Sequence, residues 1–387
     1  MASLIVGSNI AYSQSEKEEE LRDKAQDLFE DRKFIKAMPL YSQLLSIDPK
    51  NRVYNYKYGA CVLAGKSDKE KALKYLELAL KKKDIDEKAY YFMARAYHLN
   101  YKFDKAIKYY KKFKEEGGWR DRREFPVDHK IQMCKNGKDL LKHPTEIAVL
   151  KKVKAKRENF FRFYDDTKIG GRIIVADEEG YKTKDDEKKR HTPLIHFPPL
   201  GGDQERVFFA SYGDDDEDKD IYMKKRKEGG GYGKKQKLGD KINTKFDEDY
   251  PYLHPNKKAL YFCSKGHNSM GGYDVFKASF NPETETYGKV ENMDFAINTP
   301  SNDLFYIVDK NNDLAYFASD RTSDAKHYNV YHVKVDRIPM KLSMIKGKFV
   351  NKIEPPNKKA EITVERPKSE KVVGIYNTDS ESGDYSI

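Results

Sequence analysis

The segment GHNSMGG, residues 266–272, places His267 and Ser269 in a glycine-rich bend between the aromatic runs LYFCSK and YDVFKASF. A serine and a histidine so close could make a nucleophile with its base, or two metal ligands. The G-x-S-x-G form of a strained nucleophile turn is not spelled, because His267 stands two residues before Ser269. The other reading is architectural. Gly266, Gly271 and Gly272 then supply positive φ, and Asp274 caps the turn with its side chain. That reading predicts no catalytic residue here.

Other stretches with chemical potential weaken in the same way. DKNNDL puts Asp309, Asn311 and Asp313 at the first, third and fifth places of a calcium loop. Leu314 then replaces the glycine of position six and Asp320 the glutamate of position twelve, so a hairpin turn is expected. The acidic run Asp214–Asp218 could gather cations weakly, and otherwise reads as a solvated loop. GGGYGKK, residues 229–235, lacks the Ser or Thr that follows the lysine of a phosphate-binding loop. The 9 histidines form no compact ligand set. Cys61, Cys134 and Cys263 stand far apart among regular-looking neighbours, as buried thiols do. No enzyme, metal site or cofactor is expected.

What positions these residues is a chain built from repeats. Leu21, Ala25 and Leu28 mark one amphipathic helix, and Ala37, Tyr41 and Leu44 a second. The small-then-large spacing returns at Ala72, Leu76 and Ala79 and again at Ala106, Tyr110 and Phe113, offsets of 35 and 34. Ala94 takes the place that Ala25 holds in the first copy. Small residues let paired helices approach closely, and large ones fill the space between stacked pairs. Residues 126–142 read as a capping helix.

Beyond about 145 the pattern turns to strands. VFFASY, LYFCSK and AYFASD share one form, with Phe209, Phe262 and Phe317 at offsets of 53 and 55. KDIYMK, YDVFKA and YNVYHV follow, aligning Asp220, Asp274 and Asn329. LGDKINT and MDFAINT set Asn243 and Asn298 55 apart. Four short strands per unit, each unit unable to bury both faces alone, imply stacked blades. The hairpin at 264–274 is therefore one copy of a repeated unit. GGRIIVADEEG and TPLIHFPPL are weaker candidates for divergent blades within 145–199. Two folding units meeting near 145 are expected, with the loops 177–191, 213–219 and 226–236 most open to proteases.

The helical part resembles the tetratricopeptide repeat in period and key positions, in three copies over about 18–118. The strand part, through SKGHNSMGGYDVF and the two INT connections, resembles the WD40-like, TolB-type propeller repeat of Bacteroidetes envelope proteins. Residues 345–387, with IKGKFV, AEITV, VVGIYNTD and GDYSI, resemble the first strands of a carboxypeptidase-regulatory-like β-sandwich. The resemblance implies a multidomain α plus all-β protein: 17–144 an α-solenoid, 145–338 a β-propeller of uncertain blade number, and 345–387 a partial sandwich. By domain order it is similar to the OmpA-family peptidoglycan-associated accessory proteins of type IX secretion and gliding, without their OmpA-like domain. A divergent chain or a fragment is expected.

The resemblance also implies a periplasmic, outer-membrane-associated scaffold near peptidoglycan. It would contact envelope proteins through the helical groove and the propeller face. Tetratricopeptide arrays bind extended peptides on a concave face, here Arg22, Phe29, Tyr91, Arg95 and His98, with Tyr54 and Lys57 as further candidates. A basic, aromatic groove suits an acidic peptide or a C-terminal carboxylate. An array serving only as spacer, a propeller binding a glycan or peptidoglycan fragment, and a hydrolase or lyase in the propeller funnel are the alternatives.

Charge does not redirect this reading. Net charge is +11, and residues 17–143 alone carry 31 Lys/Arg against 21 Asp/Glu. Acids alternate with the lysines at helical spacing, which makes a solvated helix face rather than a nucleic-acid surface. Mean hydropathy is −0.89. MASLIVGSNIAYSQ lacks the basic start of a signal peptide, so residues 1–16 are expected to be either disordered or the tail of a cleaved leader. No segment is long and apolar enough to span a membrane.

Overall fold

The computed structural model describes the chain apart from residues 1, 66–67, 82–83, 143–144, 178–179, 199–204, 214–216, 340–345, 352–356, 366–371, 380–381 and 387. For residues 2–15, 337–339, 346, 372–373 and 386 it describes the backbone alone. The architecture is mixed α and β: helices first, then antiparallel sheets.

Eight helices run α1 (Ala2–Glu30), α2 (Phe34–Ile47), α3 (Arg52–Gly65), α4 (Lys69–Ala79), α5 (Lys88–Leu99), α6 (Phe103–Glu116), α7 (Trp119–Glu124) and α8 (Asp128–Leu140). From α1 to α6 each helix packs on the next, and α8 packs on α6. The residues whose spacing marks the repeat (Ala25, Ala37, Tyr41, Leu44, Ala72, Leu76, Ala79, Ala94, Ala106, Tyr110 and Phe113) are all buried in one core. In the second copy the small residue is Gly59, where an added Cβ would lie 2.8 Å from Leu76 Cγ. A side chain there would push α3 off α4. Helix α1 starts at Ala2, so the backbone of residues 2–16 is helical. No proline interrupts residues 2–30, and the backbone runs on without a break.

The strands are β1 (Thr145–Lys156), β2 (Arg172–Val175), β3 (Leu194–Phe197), β4 (Arg206–Ser211), β5 (Asp220–Lys225), β6 (Gln236–Lys237), β7 (Glu248–Leu253), β8 (Ala259–Ser264), β9 (Asp274–Asn281), β10 (Thr286–Asn292), β11 (Asp303–Val308), β12 (Leu314–Ser319) and β13 (His327–Pro339). They form sheets in the orders β2-β3, β4-β5-β6, β10-β9-β8-β7 and β1-β13-β12-β11. Strand β3 packs beside β4, β4 beside β7, and β7 beside β11. Strand β1 precedes all the others in the chain, yet it completes the sheet made by the last three.

Side chains recur with the sheets. Asn243 accepts from Ile221 N (2.8 Å) and donates to Ile221 O and Leu238 O. Asn298 accepts from Val275 N (2.7 Å) and donates to Val275 O and Asn292 Oδ1. Each asparagine thus satisfies a middle-strand residue from the connection that follows, where buried backbone groups would otherwise go unpaired. A buried carboxylate recurs as well. Asp186 accepts from Thr183 and Ser211, and Glu248 from Thr244 and Ser264. Asp303 likewise accepts from Thr299 and Ser319.

Residues 1–338 form one compact unit and 339–387 a second. Within the first unit, helical side chains bond to loops of the sheets, as His98, His129 and Asn136 do, so the compact unit does not divide near 145. Within the segment expected to be open to proteases, Asp186 is buried in a capped helical turn, Lys184–Lys188. Asp214–Asp216 lie outside the described residues. In the second unit β14 (Lys346–Lys348) pairs with β17 (Asp384–Ser386), and β15 (Glu361–Glu365) with β16 (Val372–Asn377). Each of these strands overlaps one of the four alternating runs read from the sequence.

Candidate functional site

The hairpin from Ser264 to Asp274 docks on the helices. Three of its backbone carbonyls accept hydrogen bonds from helical side chains: Met270 O from His98 Nε2 (2.7 Å), Lys265 O from His129 Nε2 (2.8 Å) and Ser269 O from Asn136 Nδ2 (2.9 Å). A carbonyl can only accept, so both histidines carry their proton on Nε2. His129 also stacks on Phe246 at 3.8 Å. Burial pushes His98 down to about 4, which keeps it neutral.

Within the hairpin the expected glycine roles need correction. None of Gly266, Gly271 and Gly272 has positive φ; the left-handed residue is His267, with φ 48°. The glycines are there because the backbone is crowded. A Cβ on Gly266 would lie 2.2 Å from Thr244 Oγ1, one on Gly271 2.2 Å from Thr299 O, and one on Gly272 2.2 Å from Asn302 Oδ1. Asp274 caps as expected, accepting from Met270 N at 2.9 Å. Ser269 is buried and donates to Lys265 O, and His267 donates to Ile242 O, so both are engaged in the bend. Asp309 likewise closes its own turn, accepting from the amides of Asp313 and Leu314.

Docking leaves a cleft of about 570 Å³ between the helices and the sheet loops, within the range of small-ligand sites. From the helices it is lined by Lys69, Tyr91, Arg95, His98, His129 and Lys130. From the sheet side come Arg157, Phe246, Lys265, the Gly271–Gly272 backbone, Asn302, Asp320 and Asp324. Both carboxylates are already engaged, Asp320 by Arg157 at 2.9 Å and Asp324 by Lys154 at 2.6 Å. Lys265 pairs with Asp247 at 2.5 Å. Arg95 and Lys130 have no carboxylate partner among the described residues. Burial, then the charges of Arg95 and Lys265, push the Lys130 ammonium down to about 8. Lys69 is also lowered, by burial first, with Asp320 opposing. The cleft thus holds more positive charge than its own acids neutralise.

Of the five groove residues expected from sequence, Tyr91, Arg95 and His98 meet in this cleft. His98 does not wait for a partner, because the protein's own hairpin occupies it. Phe29 is corrected from groove to core, where it packs edge-on against Phe34, Tyr41 and Tyr56. Arg22 does not line the cleft; it is exposed and paired with Glu19 and Asp23. Tyr54 and Lys57 are buried, the Lys57 ammonium 5.4 Å from the Phe29 ring. Sequence reading missed Lys130, His129 and Asn136, all on the capping helix α8. Their signal was an HK pair and an Asn in a helix whose only assigned task was to shield the array. The three cysteines are buried, free thiols, and burial raises Cys61 and Cys134 to about 12.

No protein-family model matches the chain, and no curated protein matches it significantly.

Proposed function

We propose that this protein is a non-catalytic scaffold of a bacterial cell envelope, in which a tetratricopeptide array is fused to a WD40-like, TolB-type propeller. The observation that carries this reading is the recurrence of one buried network in successive sheets. Asn243 and Asn298 bridge equivalent strands, while Asp186, Glu248 and Asp303 each take one serine and one threonine. A chain repeats such interior detail when each unit must stack on a neighbour like itself. The pairing of β1 with β13 adds support, because a strand that precedes the repeated units completes the sheet of β11, β12 and β13. The second unit, with strands in all four predicted runs, suits the start of a carboxypeptidase-regulatory-like sandwich.

The accessory role beside peptidoglycan and type IX secretion rests on the resemblance in domain order and on fold-level analogy. Function then lies in protein–protein contacts made in the periplasm at the outer membrane. The test is fractionation and cross-linking of the tagged full chain in a bacterium that makes it. Recovery with the outer membrane, cross-linked to envelope proteins, is the expected result. Recovery in the cytosol, or a purified protein that turns over a glycan or peptide substrate, would overturn the reading.

A further inference from the structure

We propose that two copies of this chain associate edge to edge, β1 of one pairing antiparallel with β1 of the other about a two-fold axis beside Leu150. The inference goes beyond the scaffold reading and does not depend on it. The sheets meet one another through β3, β4, β7 and β11, so their far ends are β2, β6, β10 and β1. An exposed edge strand invites pairing with another chain unless it is short, bulged or charged. Strand β2 has 4 residues and β6 has 2, while β10 carries Gly288 and a register shift between Tyr287 and Val290. Strand β1 differs. It runs for 12 residues, and Ala148, Val149, Leu150, Lys151 and Lys152 are all exposed. Val149 and Leu150 are 51% and 48% exposed, on opposite faces of the strand. Thr145, its first residue, is tied to the turn Asp294–Ile297 by a bond to Asp294, which leaves the middle of the strand open.

The order of residues along β1 selects a second copy as the partner. Arg157, the residue after β1, donates its amide to Lys326 O, just before β13. Backbone groups alternate sides along a strand, so those of Ala148, Leu150 and Lys152 turn to the edge away from β13. A two-fold axis at that edge pairs Leu150 with Leu150, Ala148 with Lys152, Ile147 with Val153 and Glu146 with Lys154. Apolar residues then meet apolar ones, the acid meets a lysine, and no lysine faces a lysine. Lys154, held by Asp324 at 2.6 Å, gains Glu146 as a second acid. Centring on Lys151 would oppose two lysines, and centring on Val149 pairs a shorter stretch. Parallel pairing in register would set Lys151, Lys152, Lys154 and Lys156 against their own copies. A single two-strand seam lies at the small end of specific interfaces, so the dimer should form and dissolve with concentration.

Sedimentation velocity of the full chain, over about a hundredfold range of concentration, tests this. Wild type should shift from monomer to dimer. Leu150→Pro removes an N–H at the free edge and leaves the ladder to β13, whereas Leu150→Lys opposes two charges across the axis. Each should weaken association about tenfold or more, and if one fails to fold, the other carries the test. Glu146→Lys should weaken it as well, most at low salt. Cross-linking fixes the register. Oxidation by diamide should join Leu150→Cys into a dimer on a non-reducing gel, because directly opposed strand residues come within disulfide reach. Ala148→Cys should stay monomeric under the same oxidant, since it faces Lys152 of the other copy. Wild type, whose three cysteines are buried, is the control. A chain monomeric at every concentration, a dimer indifferent to both Leu150 variants, or equal cross-linking at 148 and 150 would each overturn the proposal. So would a monomer whose edge takes up a strand of another protein instead. Each of these failures leaves the scaffold reading standing.

Discussion

The hairpin from Ser264 to Asp274 and its sister from Ser319 to Asn329 start and finish alike. In each, the serine pairs in register with the last residue and its Oγ accepts the amide two positions on, from Gly266 or Arg321. Between those ends they diverge. The first bend holds three carbonyls outward to His98, His129 and Asn136. The second turns inward and toward β1: Arg321 donates to Ile297 O and Asp303, and Asp320 and Asp324 take Arg157 and Lys154. Repeated positions build the sheets, and the departures from repetition build the contact with the helices.

The repeated layer should show the largest effects. Asn298→Ala removes three hydrogen bonds and strands buried groups of Val275, for roughly 2–4 kcal/mol of lost stability by urea unfolding. Asn243→Ala should cost a similar amount. A large loss at one position and none at the other would break the equivalence of the two units.

The paired carboxylates sharpen the comparison through pH. Burial raises Glu248 to about 7, with Ser264 and Thr244 opposing, whereas its counterpart Asp303 has the Arg321 cation beside it. The native state therefore holds a proton on Glu248 that the unfolded chain releases near the ordinary 4.5. Its contribution is fully present below about 4.5 and is lost as pH rises through about 7, on the order of 3 kcal/mol in all. Urea midpoints at pH 5, 6, 7 and 8 should fall along that range, and Glu248→Gln should flatten the fall. An unchanged slope in the variant would assign the dependence to other groups.

Gly271→Val forces a Cβ against Thr299 O and should cost about 1–3 kcal/mol in thermal or urea unfolding. His267→Ala and Ser269→Ala should cost less. His98→Ala leaves Met270 O without its donor, for about 1–2 kcal/mol. Arg22→Glu changes an exposed ion pair and should leave the unfolding midpoint nearly unchanged.

Much of this was legible in residue spacing. The alanines and aromatics of the helices, the Phe209–Phe262–Phe317 series and the Asn243–Asn298 pair all sit where their periods place them, because periodicity reports burial directly. Groove membership was legible only in part. Phe29 and Arg95 have similar claims on a helical wheel, but a neighbouring helix covers one and leaves the other open. The reason for the glycines was hidden as well. Sequence cannot distinguish a glycine needed for its φ from one needed because Thr299 or Asn302 passes close by. Docking by His98, His129 and Asn136 depends on contacts 133 to 172 residues apart, which no local pattern encodes.

The most direct test of the docking role is hydrogen–deuterium exchange, comparing wild type with the double variant His98→Ala, Asn136→Ala. Exchange should rise in peptides covering 264–272 and in α5 and α8, while peptides covering the sister bend at 319–329 stay as protected as before. Equal changes in both bends, or none in 264–272, would contradict the claim that this hairpin, and not its sister, holds the helices to the sheets.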